Sequence, residues 1–167
     1  NVLTAATQMR ALVSGLLGLA RSDQAGLSSA RERLDWSKTV LDACLPFEPV
    51  FFERGLTFSY DVEPGLFVLG DEAQLKRCAN ILLDNAQKYA APGGAIRLTL
   101  NAAGRNAVLA VENPGERIPA EKLSHLFDRF YRVDKARSRE SGGTGLGLSI
   151  AQEILNQHKG SIEISSE

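Results

Sequence analysis

The sequence predicts an α+β domain: a two-layer α/β sandwich in which helices cover one face of a mixed β-sheet, preceded by an N-terminal helix. Three observations predict it. The segments "LTFSYDVE", "AIRLTLN" and "AVLAVEN" alternate apolar and polar residues, as half-buried strands do. Residues 71–90 carry Leu75, Ala79, Leu82, Ala86 and Tyr89 at helical spacing. The order of elements is helix, strands, helix, hairpin, loop, helix, strand, which lets helices return over a sheet.

Residues 1–22 read as a helix, because Met9, Val13, Leu16, Leu17 and Ala20 recur at helical spacing without a proline. That stripe fits the core of a helical bundle or dimer. "DQAGLSSARERLDWS" is polar and reads as a linker, with Trp36 as a packing anchor. Ser37 is placed to cap a helix running to about Arg54 and ended by Gly55, although Pro46 and Pro49 disturb its middle. "LTFSYDVE" and "LFVLG" follow as strands. Asp71 opens the clearest helix, because "DEAQ" puts a Gln three residues after a capping Asp, and "APGG" stops it. "AIRLTLN" and "AVLAVEN" flank a turn at "AAGRN" and read as an antiparallel hairpin. "PAEKLSHLFDRF" is a short helix starting near Pro119. Residues 131–142 are polar, without an apolar period, and read as a mobile loop. A last helix follows the glycines, and "SIEIS" reads as a strand.

Composition narrows the function classes. The chain has 167 residues, a net charge of −1, 44% apolar and 23% charged residues, so it is an ordinary globular chain without the footprint of a nucleic-acid binder. No apolar run approaches the roughly 18 residues that span a bilayer, and no signal peptide is visible. Cys44 and Cys78 lie far apart without metal-ligand spacing, which fits reduced thiols in a cytosolic compartment. The first residue is Asn rather than Met, so the chain is expected to be a piece of a longer protein.

Chemistry concentrates in three places. "GGTGLGLSI" packs four of the fifteen glycines into residues 142–150, directly before a helical stretch. A helix N-terminus offers unpaired N–H groups, and glycine lets an anion reach them. The run lacks the Lys of a GxxxxGK(S/T) loop and is spaced GxGxG rather than GxGxxG; taken alone, it reads equally as a flexible linker. Asn85, Lys88 and Tyr89 project from neighbouring positions at the end of the 71–90 helix. They offer a carbonyl for a hard cation, a charge for phosphate and a ring for a base, but a solvated helix end explains them as well. The third place is the basic segment "DRFYRVDKARSRE". Together, the three suit a magnesium nucleotide.

"ILLDNAQKYA", "VENPGERIP", "LFDRFYRVDKARSRE" and "GGTGLGLSIAQEI" follow the order and spacing of the N box, first glycine box, F box and second glycine box of sensor histidine kinases. Residues 35–167 resemble that family's catalytic ATP-binding domain, of the Bergerat fold shared with Hsp90, gyrase B and MutL. Residues 1–34, with "MRALVSGLLGLARSD", resemble the end of its dimerisation and phosphotransfer domain and a linker. The resemblance implies that Asn85 ligates Mg²⁺ on the ATP phosphates, that Lys88 contacts phosphate and that Tyr89 lines the pocket. Asn113 stands where the family usually has an Asp that accepts from the adenine amino group, and Gly115 would let the backbone approach the base. Phe127 and Phe130 would anchor an ATP lid, and Arg132 would reach the terminal phosphate. Gly143, Thr144, Gly145, Leu146 and Gly147 would cradle the phosphates. Asn85, Lys88 and Arg132 are the implied catalytic set.

The sequence departs from the pattern at Ile81, where an Asn commonly begins the N box, at Asn113, and at Arg117 in place of a glycine. Asn80 is about 100° out of register for the missing Asn. These departures favour a nucleotide-responsive binding module; Asn85, Lys88, Arg132 and the glycines favour a kinase, and the "FYRVDKARSRE" lid separates it from an ATPase of the Hsp90 or MutL type. Neither His125 nor His158 has the context of a phosphoacceptor, so the substrate His is expected upstream, on the dimerisation helix of a homodimeric kinase. Asp84 reads as a solvated acid rather than a base. The family further implies relay to the receiver domain of a response regulator, a cytosolic location within a membrane-anchored bacterial sensor, and a further strand after "SIEIS".

Overall fold

The computed structural model describes residues 31–133 and 144–167; the expected N-terminal helix, most of the polar loop and Gly143 lie outside them. The chain divides into two units, Ala30–Glu116 and one whose described part is residues 117–133 and 144–167.

The first unit begins with a correction. Glu32–Asp35, expected to be linker, forms a strand, β1. It pairs antiparallel with β3 (Phe67–Gly70), from Glu32 opposite Gly70 to Asp35 opposite Phe67. Only Leu34 is buried in β1, so there was little alternation to read. Helix α1 (Trp36–Cys44) is capped by Asp35 rather than Ser37, through a bond from the Lys38 N–H to the Asp35 carboxylate. The Ser37 hydroxyl instead donates to the Glu63 carbonyl at 2.6 Å and accepts from the Leu66 N–H at 3.0 Å. Trp36 is buried, as a packing anchor should be. The single helix expected to Arg54 is two, because Pro46 has no N–H to continue α1 and serves as the N-cap of α2 (Phe47–Glu53). Gly55, at φ +67, closes the end of α2.

Strands β2 (Thr57–Val62), β4 (Ala95–Ala103) and β5 (Asn106–Glu112) form a mixed sheet in the order β2-β4-β5. β2 runs parallel to β4 and β4 antiparallel to β5, the latter pair being the expected hairpin. Ile96, Leu98 and Leu100 of β4 are fully buried, while Arg97 between them and the flanking Ala95 and Asn101 are exposed and Thr99 is half-buried. One face therefore meets the core and the other meets solvent, as an antiparallel ladder allows. The register sets Phe58 beside Ile96, and Leu98 beside both Tyr60, which is exposed, and the half-buried Val111.

Helix α3 (Glu72–Tyr89) starts where the capping motif put it: the Asp71 carboxylate accepts from the Gln74 N–H at 3.0 Å. Its buried stripe is Leu75, Cys78, Ala79, Leu83 and Ala86, so Leu83 rather than Leu82 faces the core. α1 and α3 pack together, and the Thr39 hydroxyl donates to Glu72 at 3.1 Å. Both cysteines are free and buried, and burial pushes each thiol from 9.0 to about 11, with Glu48 adding to the effect at Cys44. The folded thiols hold their protons to higher pH than the unfolded chain's. Their contribution is therefore complete below about pH 9 and lost as pH rises towards 11. Urea midpoints at about pH 8 and about pH 10.5 should show this alkaline loss, and it should shrink when both cysteines become alanine.

In the second unit, α4 (Ala120–Leu123) follows Pro119, and α5 (Gly147–Gln157) follows the glycine run. α5 buries Ser149, Ile150, Ala151 and Ile154, and Leu146 before it is buried too. The strand expected at "SIEIS" does not form. Residues 161–167 alternate between exposed and half-buried but make no ladder, and a strand needs a partner as well as a pattern. Ser166 instead accepts from the Ile118 N–H at 2.9 Å. Among the described residues, no helix is long and apolar enough to cross a membrane.

Candidate functional site

Three expected site residues stand on the last turn of α3. Asn85 and Lys88 are half-buried and Tyr89 is 54% exposed, so the ring offers a face that the core does not claim. Lys88 belongs to the helix's last turn, where the carbonyl ends favour a cation. It also forms an ion pair with Asp84, one turn back. Asp84, read from the sequence as a solvated acid, is thus a partner of the phosphate-binding candidate. Ile81 and Asn80 are both half-buried on the same helix.

The segment after β5 is fastened to this helix end. The Ala91 N–H donates to the Pro114 carbonyl at 2.7 Å, and the Gly94 N–H to the Ala91 carbonyl at 2.9 Å. A Cβ on Gly115 would lie 2.6 Å from the Tyr89 carbonyl oxygen and 3.4 Å from the Asn113 amide nitrogen. A Cβ on Gly94 would lie 2.7 Å from the Pro114 ring. Gly115 is therefore needed for close packing against backbone, a role distinct from approach to a ligand. The packing sets the exposed Asn113 beside the turn that carries Tyr89. Gly115→Ala should cost about 1–3 kcal/mol in urea unfolding, because a carbonyl oxygen cannot swing away as a side chain can.

In the second unit, the two ends of the polar segment meet. The Phe130 N–H donates to the Gly145 carbonyl at 2.9 Å. Phe130 sits at φ +65 and Gly145 at φ +71, both in the left-handed region. Phe127 is half-buried, but the Phe130 side chain is 53% exposed. What is held at Phe130 is its backbone, not its ring. Arg132 is half-buried and Arg117 exposed.

The glycine run leads into α5 with Leu146 at the cap and no side chain capping the helix. The Ser149 hydroxyl turns back to the Leu146 carbonyl at 2.9 Å. The first N–H groups of a helix have no intrahelical acceptor, so the start of α5 is a place where an anion can be received. Thr144, Gly145 and Gly147 are half-buried; Leu146 is 1% exposed, so only its backbone is available to a ligand. His125 is a surface residue paired with Asp128 at 2.9 Å, and His158 closes α5. Among the described residues, no group of three or more His, Cys, Asp or Glu side chains could hold a metal. A cation here would rest on Asn85, water and the ligand's own oxygens, which is how Mg²⁺ is commonly held beside phosphates.

The first unit is a mixed sheet with helices packed on it, one of them ending in a polar cluster, and the second carries a glycine-led helix; the class these parts define is that of an α+β protein. Residues 70–167 match the histidine kinase-, DNA gyrase B- and HSP90-like ATPase family, and the chain belongs to it. It is 37% identical over 160 residues to the sensor histidine kinase CusS of Escherichia coli O157:H7, covering 96% of this chain and 33% of that protein. It is 38% identical over 164 residues to the sensor histidine kinase YkoH of Bacillus subtilis (strain 168), covering 97% and 35%. The chain thus spans about a third of these relatives. Its fold matches the Acinetobacter baumannii histidine kinase AdeS with a TM-score of 0.74 at 25% identity, over 95% of this chain and 72% of that one. The mycobacterial sensor histidine kinase MprB matches with a TM-score of 0.64 at 29% identity, over 77% and 80%.

Proposed function

We propose that the chain from β1 (Glu32–Asp35) to residue 167 is the ATP-binding catalytic domain of a sensor histidine kinase, with the residues before β1 closing its dimerisation domain. The observation that carries the reading is the set on the end of α3: Asn85, Lys88 and Tyr89 on one turn, with Asn113 packed beside it. Four ordered motifs and relatives named as sensor histidine kinases support the same reading.

In this reading Asn85 holds Mg²⁺, which supplies charge neutralisation on the phosphates when bound. Lys88 and Arg132 take the β- and γ-phosphate oxygens. Tyr89 and Asn113 receive the adenine, the Asn113 carbonyl accepting from its amino group. Gly143, Thr144, Gly145, Leu146 and Gly147 offer backbone N–H groups to the phosphates, and Phe127 and Phe130 secure the segment that bears Arg132. A neutral imidazole nitrogen on an upstream His attacks the γ-phosphorus in line. The bond to the β-bridging oxygen breaks, ADP leaves, and the imidazole proton passes to a base near that His. The protein's part is positioning and charge neutralisation. The phosphoryl group then passes to an Asp on a receiver domain. The working protein is a homodimer whose kinase domain faces the cytosol of a membrane-anchored sensor.

The test uses the longer protein that carries the upstream His. Incubation with γ-labelled ATP should give an acid-labile, base-stable label on that His, and Asn85→Ala should abolish it. Label on Ser, Thr or Tyr, or equal labelling in the variant, would contradict the reading.

A further inference from the structure

We propose that Asp84 is an internal stand-in for phosphate: it occupies the Lys88 ammonium until nucleotide displaces it, and so sets the affinity of the site. The proposal rests on the nucleotide reading above and adds a residue to it. The Lys88 Nζ–Asp84 Oδ2 ion pair is short, at 2.5 Å, and its side chains are 24% and 43% exposed. The acid precedes the base by four residues, the favourable order on a helix. Asp84 is held on the ammonium that phosphate would take, so its carboxylate lies at that contact of the proposed site.

Two consequences follow from charge. A phosphate that takes Lys88 must break the Asp84 pair, and it must then sit near a carboxylate of its own sign. Both oppose binding, and both weaken with salt. The pair also holds Lys88 against the helix while the site is empty, so ligand exchange replaces one anion by another. Affinity is thereby lowered in favour of release, and the effect is confined to phosphate-bearing ligands.

The experiment is a double-mutant cycle on this chain with Asp84→Asn, Lys88→Met and both together, titrated calorimetrically with Mg-ATP and with adenosine. Asp84→Asn should tighten Mg-ATP binding about fourfold at low salt. The gain should fall below about twofold when Lys88 is Met, and should fade as salt is raised. Adenosine binding should not change. Thermal melts of each variant check the fold. Weaker Mg-ATP binding in Asp84→Asn would overturn the proposal, because Asp84 would then be supporting the ligand or orienting Lys88. An equal gain in both backgrounds would overturn it too, since Asp84 would be acting on phosphate without Lys88. A wild-type chain that binds no Mg-ATP would overturn both the proposal and the reading beneath it; loss of the coupling alone would leave that reading standing.

Discussion

Gly145→Ala is expected to destabilise the glycine segment by about 3 kcal/mol and to weaken nucleotide binding more than about tenfold. Gly145 has φ +71, a conformation that costs an L-residue roughly 1–2 kcal/mol. The added Cβ would also lie 2.9 Å from both the Phe130 carbonyl carbon and its Cα, and 3.0 Å from the Tyr131 carbonyl. All three are backbone atoms, so no rotamer change relieves the contact. Phe130 is itself held at φ +65 and donates its N–H to Gly145, so the two residues cannot adjust separately. The check is a urea titration read beside a nucleotide titration. Unchanged stability in the variant would mean that the backbone pinch does not hold this segment.

Phe51→Ala should cost about 3–5 kcal/mol, enough to remove a large share of the stability of a domain this size. Phe51 is fully buried, 4.8 Å from Phe58 in an edge-on arrangement at 77° and 5.6 Å from Phe47. Phe58 in turn meets Tyr60 at 5.4 Å, so truncation opens a void where α2 meets the sheet. The Phe51 carbonyl also accepts from Arg54 and Leu56, whose bonds turn the chain into β2. Phe51→Leu, which retains much of the volume, should lose less. Urea unfolding at neutral pH checks both variants.

The parts of the fold that were legible in the sequence are those whose signals are local. The Asp71 cap, the α3 helix and the β4–β5 turn each rest on signals within a few residues and formed as expected, although Leu83 rather than Leu82 joined the buried stripe of α3 and Tyr89 stayed exposed. β1 was not legible, because four residues with one buried side chain carry no alternation and its partner β3 lies more than thirty residues away. Pro46 made the break in the long helix visible without showing which side would continue. At "SIEIS" the alternation was real, but ladder pairing is not a property of the segment alone.

The candidate site divides in the same way. Asn85, Lys88 and Tyr89 could be grouped from spacing on one helix. The fastening of Pro114 and Gly115 to the end of that helix could not, because it joins residues more than twenty apart. The Asp84–Lys88 pair has the spacing of a helix ion pair, but that spacing serves equally for two solvated side chains, so the pairing itself is visible only in the structure. The burial of Leu146 has no local signal, because a lone apolar residue among glycines carries no period.

The central claim is that this chain carries a magnesium-nucleotide site centred on Asn85. Its most direct test is calorimetric titration of the chain and its Asn85→Ala variant with ATP, with and without Mg²⁺. The account predicts magnesium-dependent binding that falls about tenfold or more in the variant while the fold is kept. A folded wild-type chain that takes no nucleotide, or a variant that binds as well as the wild type, would contradict it.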